Sequence, residues 1–164
     1  MNTKKTAVLG ISIALAMVLS FVESLVPPLV ALPGIKIGLA NLVIVFVLYK
    51  LGWQYAAAVS LIRVALSSIL FGNVQIFLFS IAGAVLSLVG MALLKKTGAF
   101  SIISVSVLGG ILHNAGQIAV ACFWTSTPQV IYYLPVLLVS GTVAGIMIGI
   151  ISGLIVKKLE KMKI

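Results

Sequence analysis

Six long apolar runs, separated by short clusters of proline, glycine and lysine, leave this chain few ways to fold. They extend from about Ala7 to Val26, Ile37 to Tyr49, Trp53 to Phe71, Gln75 to Leu94, Phe100 to Trp124 and Val130 to Val156. The second is short for a full span. The longer ones reach the roughly 20 residues that a helix needs to cross a hydrocarbon core. Backbone polar groups in lipid must be satisfied internally, so only helices and closed barrels span a membrane. Continuous apolar runs lack the alternation of barrel strands. The expected fold is an all-α membrane protein, a bundle of six transmembrane helices in one domain covering residues 1–164. Composition agrees, because 62% of residues are hydrophobic and only 8% are charged, more apolar surface than a soluble domain can hide.

The net charge of +9 comes from eleven Lys and Arg against two acids, Glu23 and Glu160. In a soluble protein this excess would suggest nucleic acid. Here the lysines stand at the ends of apolar runs. With an even number of spans both termini share one side, and Lys4, Lys5, Lys50, Lys95, Lys96, Lys157, Lys158, Lys161 and Lys163 all fall there. The other side has only Lys36. The positive-inside rule then makes both termini cytoplasmic. Lys4-Lys5 followed by an apolar run imitates a signal peptide, but the pattern continues to Phe21-Val22, so the expectation is an uncleaved first helix.

Pro27-Pro28 and the stretch from Pro33 to Leu42 form the expected connection between the first two helices. Lys36 and Asn41 stand at or just inside the edge of a span, where a small molecule could be met. A tight turn with a snorkelling lysine is the ordinary alternative.

Polar side chains within the runs are the candidates for chemistry. Arg63 lies roughly 12 Å below the outer edge, counting back from Phe71 at about 1.5 Å per residue. A charge at that depth must be paired or solvated. Ser60 and Ser67 share its face. It reads either as a clamp for an anion or carbonyl of a ligand, or as an internal ion pair with Glu23. His113, Asn114 and Gln117 fall within about a quarter of one helix circumference. They either glue neighbouring helices or line a cavity beside Gly109, Gly110 and Gly116; small and polar residues on one face favour the cavity. Tyr132 and Tyr133 suit an interfacial belt, as do Trp53 and Trp124; Tyr132 is also kept as a substrate-binding candidate.

Gly141, Gly145, Gly149 and Gly153 form a stripe at intervals of four in the last run, and Thr6, Gly10 and Ala14 form a weaker one in the first. Such stripes permit close helix approach. The expectation is that Gly141 and Gly145 could seat the last helix in its own bundle, while Gly149 and Gly153, near the cytoplasmic side, with Thr6 and Gly10, meet a partner subunit; Ala14 and Gly145 are also candidates for that surface. The alternative is packing within the bundle.

Other chemistry lacks its residues. There is no Asp, one His and one Cys, Cys122, so a protein-built zinc or magnesium site, a cofactor and a disulfide are not expected. There is no Walker loop for nucleotide hydrolysis. Prenyl chain synthesis needs acidic clusters to hold magnesium, and the chain has none, so it is not expected to be an enzyme by itself.

Several motifs taken together resemble a known family. Glu23-Ser24-Leu25-Val26-Pro27, the Pro33–Asn41 stretch, Leu61–Ser68 with Phe71-Gly72, His113–Gln117 and Tyr132–Pro135 resemble the Gx transporter family, often labelled heptaprenyl diphosphate synthase component I. That family is similar to the substrate-binding (S) components of energy-coupling-factor (ECF) uptake transporters. The resemblance implies six helices, a ligand met from the outer side, a transmembrane scaffold subunit, a pair of ATPases and a bacterial plasma membrane. On this reading the chain binds a small polar or anionic molecule, of the vitamin or quinone/isoprenoid precursor class. Arg63 would neutralise or orient it, while Asn41, Ser67, His113, Asn114 and Gln117 would supply hydrogen bonds. Glu23 with Lys36 would guard the mouth, and Tyr132 completes the set of substrate-binding candidates. Two alternatives stand beside it: a non-catalytic accessory subunit of a polyprenyl diphosphate synthase, and a self-sufficient proton-coupled carrier using Glu23 or His113.

Overall fold

The computed structural model describes residues 3–25, 38–126 and 128–159. Lys36, the rest of the Pro27–Ile37 connection, Glu160, Lys161 and Lys163 lie outside the described residues. The helices are α1 (Thr3–Leu25), α2 (Leu39–Lys50), α3 (Trp53–Phe71), α4 (Val74–Lys96), α5 (Ile102–Thr125) and α6 (Leu134–Lys158), with a 3-10 turn at Pro128–Tyr133 before the last. All but α2 are long and apolar enough to cross a membrane. Two starts are set by side-chain caps. Asn73 accepts from the Ile76 amide at 2.8 Å to open α4, and Ser101 accepts from the Ser104 amide at 3.1 Å to open α5.

Neighbouring helices form a closed circuit, α1–α3–α4–α5–α6–α2 and back to α1, with α2 also against α3. The lysines that end α2, α4 and α6 and begin α1 share one end of this bundle. Below it is called the lysine end. Large side chains such as Ile69, Phe123 and Leu154 point outward, at 78%, 88% and 64% exposure, as lipid-facing residues do.

The short helix α2 is the centre of the core. Val43, Ile44, Val45, Val47 and Leu48 are each 2% exposed or less. A helix apolar and buried on every side is an interior helix. Twelve residues extend about 18 Å, well under the roughly 30 Å hydrocarbon thickness. α2 therefore fills the lysine half and stops inside the bundle.

The closest approach is between α5 and α6. A Cβ at Gly145 would lie 2.6 Å from the Val107 Cα, and one at Gly149 would lie 2.7 Å from the Ile103 Cα. Gly110 and Gly141 meet backbone to backbone. This corrects the expectation that Gly145 and Gly149 face a partner subunit: both are buried against α5 inside the fold. A glycine stripe promises close approach but does not say to which helix. Only Gly153, at the end of the stripe, would have nothing within 4 Å of an added Cβ. Thr6, Gly10 and Ala14 on α1 are exposed.

Candidate functional site

Where α2 stops, the other helices enclose a cavity of about 110 Å³. A single water needs about 10–15 Å³ in this measure, so the space suits a small molecule or several waters. Every helix contributes to the wall. α1 supplies Ser20, Glu23 and Ser24; α2 supplies Asn41 and Val45 below its cap Gly38; α3 supplies Arg63 and Ser67. α4 adds Ser80, Ser87 and Met91, α5 adds Ser106, His113, Asn114 and Gln117, and α6 adds Gly141, Ala144 and Gly145. Most of these positions lie in the half remote from the lysines, and Ser87, Met91 and Ser106 are the deepest.

Among the described residues Arg63 is the one lysine or arginine on this wall. It is partly buried among the helices and lines the cavity. Its Nη1 donates to the Ser20 hydroxyl across a long 3.4 Å, and its Nε is buried with no partner. A guanidinium has five donors in a planar fork, so most of its capacity is unused among the described residues. A buried donor left unmade costs about 1–3 kcal/mol, more for a charged group.

Glu23 and Arg63 both line the cavity, but the two form no ion pair among the described residues. The Glu23 carboxylate instead accepts from the Gly38 amide at the start of α2. Gly38 adopts φ 76°, a left-handed conformation natural to glycine, and offers no side-chain cap of its own. Glu23 therefore supplies the negative charge that a helix N-terminus favours, and it joins α1 to α2 beneath the cavity mouth.

The three polar residues of α5 divide their roles. Asn114 Nδ2 donates to the Leu137 carbonyl of α6 at 2.5 Å, so this amide both lines the cavity and ties two helices together. Gln117 makes no side-chain hydrogen bond among the described residues and faces the cavity, and the same holds for Asn41. His113 lines the wall where α5 crosses α4, its carbonyl oxygen 2.7 Å from where a Cβ on Gly83 would be. Ser67 lines the cavity while donating to the Val64 carbonyl at 3.2 Å.

Seven of the nine binding residues expected from sequence thus converge: Glu23, Asn41, Arg63, Ser67, His113, Asn114 and Gln117. Lys36 is outside the described residues. Tyr132 is 79% exposed on the 3-10 turn and does not line the cavity, as suits an interfacial tyrosine. Sequence reading missed the serines, Ser20, Ser24, Ser80, Ser87 and Ser106. Ser80 and Ser87 are seven residues apart on one face of α4, a spacing that was there to be read. Among the described residues no group of His, Cys, Asp and Glu is placed to hold a metal ion.

No curated protein and no solved structure matches the chain. One family profile does, over residues 12–155, nearly the whole length. On that match the chain belongs to the family described as heptaprenyl diphosphate synthase component I.

Proposed function

We propose that this chain is a membrane-embedded substrate-binding subunit that takes a small polar or anionic molecule into the cavity between its helices. One observation carries the reading: the Arg63 guanidinium, buried at the cavity wall, has a partnerless Nε and one long bond to Ser20. In lipid such a group is expensive unless something completes it. A ligand carboxylate, phosphate or carbonyl would do so, with Asn41 and Gln117 offering donors and acceptors beside it. The serine hydroxyls can bond either way. By the positive-inside rule the lysine end is cytoplasmic, so the ligand would arrive from outside, past Glu23.

Uptake needs an energy source, and the chain has no nucleotide loop of its own. The reading therefore includes a transmembrane scaffold subunit and an ATPase pair, as the similarity to ECF S components suggests. Thr6, Gly10 and Ala14, exposed on α1, with Gly153 on α6, are the small residues left for that contact.

The family description favours a second reading, a non-catalytic membrane component that works beside a prenyl synthase. In that case the partner is a soluble enzyme. Both readings have the chain non-catalytic by itself.

One preparation separates them. The protein is purified gently, and native mass spectrometry identifies both a retained small molecule and co-purifying proteins. A small molecule present in wild type and absent from Arg63→Ala, with ATPase and scaffold subunits alongside, is the expected result. An empty cavity with a prenyl synthase bound would favour the accessory subunit. A ligand equally retained by Arg63→Ala would remove the residue on which the proposal stands.

A further inference from the structure

A second concavity, of about 460 Å³, lies at the lysine end, and it shares no lining residue with the polar cavity. Leu48, Leu88, Val89, Ala92 and Leu93 form its apolar walls, and Trp53 flanks it. It exists because α2 ends at Lys50 and the chain turns back at once through Leu51 and Gly52 into α3. Gly52, at φ 104°, would have nothing within 4 Å of an added Cβ, so the turn itself leaves the groove open.

The rim is cationic, for Lys95 and Lys96 end α4 there. Lys95 Nζ donates to the Leu48 carbonyl at 2.6 Å and stands 4.9 Å from the centre of the Tyr49 ring. An ammonium has three donors, so this fixes the charge in place and leaves capacity for another acceptor. Lys96 is exposed. The only described carboxylate, Glu23, lines the polar cavity at the end of α1 remote from the lysines. Glu160, the other acid of the chain, lies outside the described residues.

We propose that this groove binds one anionic phospholipid, with an acyl chain along Leu88, Val89, Ala92 and Leu93 and its phosphate between Lys95 and Lys96. Any lipid chain can fill an apolar groove in a bilayer; the lysines choose the headgroup. Trp53, 59% exposed, begins α3 at the lysine end, and amphipathic rings favour the headgroup level. Each lysine near an anionic lipid headgroup contributes about five-fold in affinity, so two give about 25-fold discrimination against a zwitterionic one. This site is independent of the cavity and of the function assigned to it.

The test titrates the detergent-purified protein with phosphatidylglycerol and with phosphatidylcholine of the same chains, counting bound lipid by native mass spectrometry. One phosphatidylglycerol should bind about 25-fold more tightly, and Lys96→Gln should reduce that preference about five-fold. Val89→Trp fills the groove from its half-exposed side without touching either lysine. It should abolish the tight site although the charges remain, and Leu93→Trp repeats the test if Val89→Trp fails to fold. Equal retention of the two lipids, or a preference unchanged by both kinds of variant, overturns the proposal. Farnesyl diphosphate, which also joins an apolar tail to phosphates, is added as competitor. If it binds the groove while phosphatidylglycerol shows no preference, the occupant is a soluble isoprenoid diphosphate and the lipid assignment is overturned.

Discussion

At the lysine end, Lys95 reaches the Leu48 carbonyl at 2.6 Å and Lys50 reaches the Leu159 carbonyl at 2.6 Å. Ser152 bonds the Leu42 carbonyl at 3.2 Å on the same side of the bundle. Each of these bonds joins separate parts of the chain around a core packed on α2. In the opposite half Arg63 has one 3.4 Å bond and a buried, partnerless Nε, and the Gln117 and Asn41 amides face a cavity. Polar groups that hold membrane helices together are satisfied by those helices. Groups left facing a cavity without partners cost stability, and a ligand is what would recover that cost. The Tyr49 hydroxyl at the lysine end is also buried without a partner among the described residues. The partnerless group at the cavity carries a charge, however, so the contrast is between the lysines, which bond across the fold, and Arg63, which awaits something.

Substitutions can break or sharpen this contrast. The largest effect is expected at the α5–α6 seam. Gly145→Leu places a branched side chain where even a Cβ would be 2.6 Å from backbone, and should cost about 3 kcal/mol or prevent folding. Gly153→Leu, with free space around it, is the matched control and should leave thermal unfolding unchanged. Equal losses in the two would mean that the seam is not where the packing lies.

Next comes the lysine-end tie. Lys95→Met keeps the stem and removes the ammonium that caps α2, a charged hydrogen bond whose loss should cost about 2 kcal/mol. Ligand retention should be untouched. A variant as stable as wild type would deny the tie its structural role.

Asn114 stands on both sides of the comparison. Asn114→Ala removes its bond to Leu137 and should cost about 1 kcal/mol, the usual scale for a polar contact between membrane helices. It should also weaken ligand retention. Gln117→Ala should show the second effect without the first, with stability within about 0.5 kcal/mol of wild type. If thermal unfolding shows Gln117→Ala to be the more destabilising of the two, the division of roles along α5 is reversed.

Much of this was legible in the sequence, for reasons specific to residues. The apolar run from Trp53 to Phe71 matches α3 residue for residue, because Gly52 and Gly72 punctuate it. The run ending at Tyr49 is visibly short, and among the described α-helices α2 is indeed the one too short to span. Arg63 and the His113–Gln117 group stood out because polar side chains are rare and costly in lipid. The serines did not, since a serine also bonds its own helix, as Ser67 and Ser140 do. Gly145 and Gly149 were assigned to a partner because a stripe looks the same whether its neighbour belongs to the fold or to another chain. Tyr132 could not be placed from sequence either, as a 3-10 turn displaces it from the register of α6.

The central claim is that Arg63 is held for a ligand and not for the bundle. The direct measurement is thermal unfolding of ligand-free Arg63→Met beside wild type, with small-molecule retention read on the same samples by native mass spectrometry. Methionine preserves length, discards a buried charge that the described fold satisfies with one long bond, and leaves Glu23 on Gly38. The account predicts unfolding at the same temperature as ligand-free wild type or higher, with retention of the small molecule lost. A marked loss of stability with the small molecule still bound would contradict it, and would make Arg63 part of the fold.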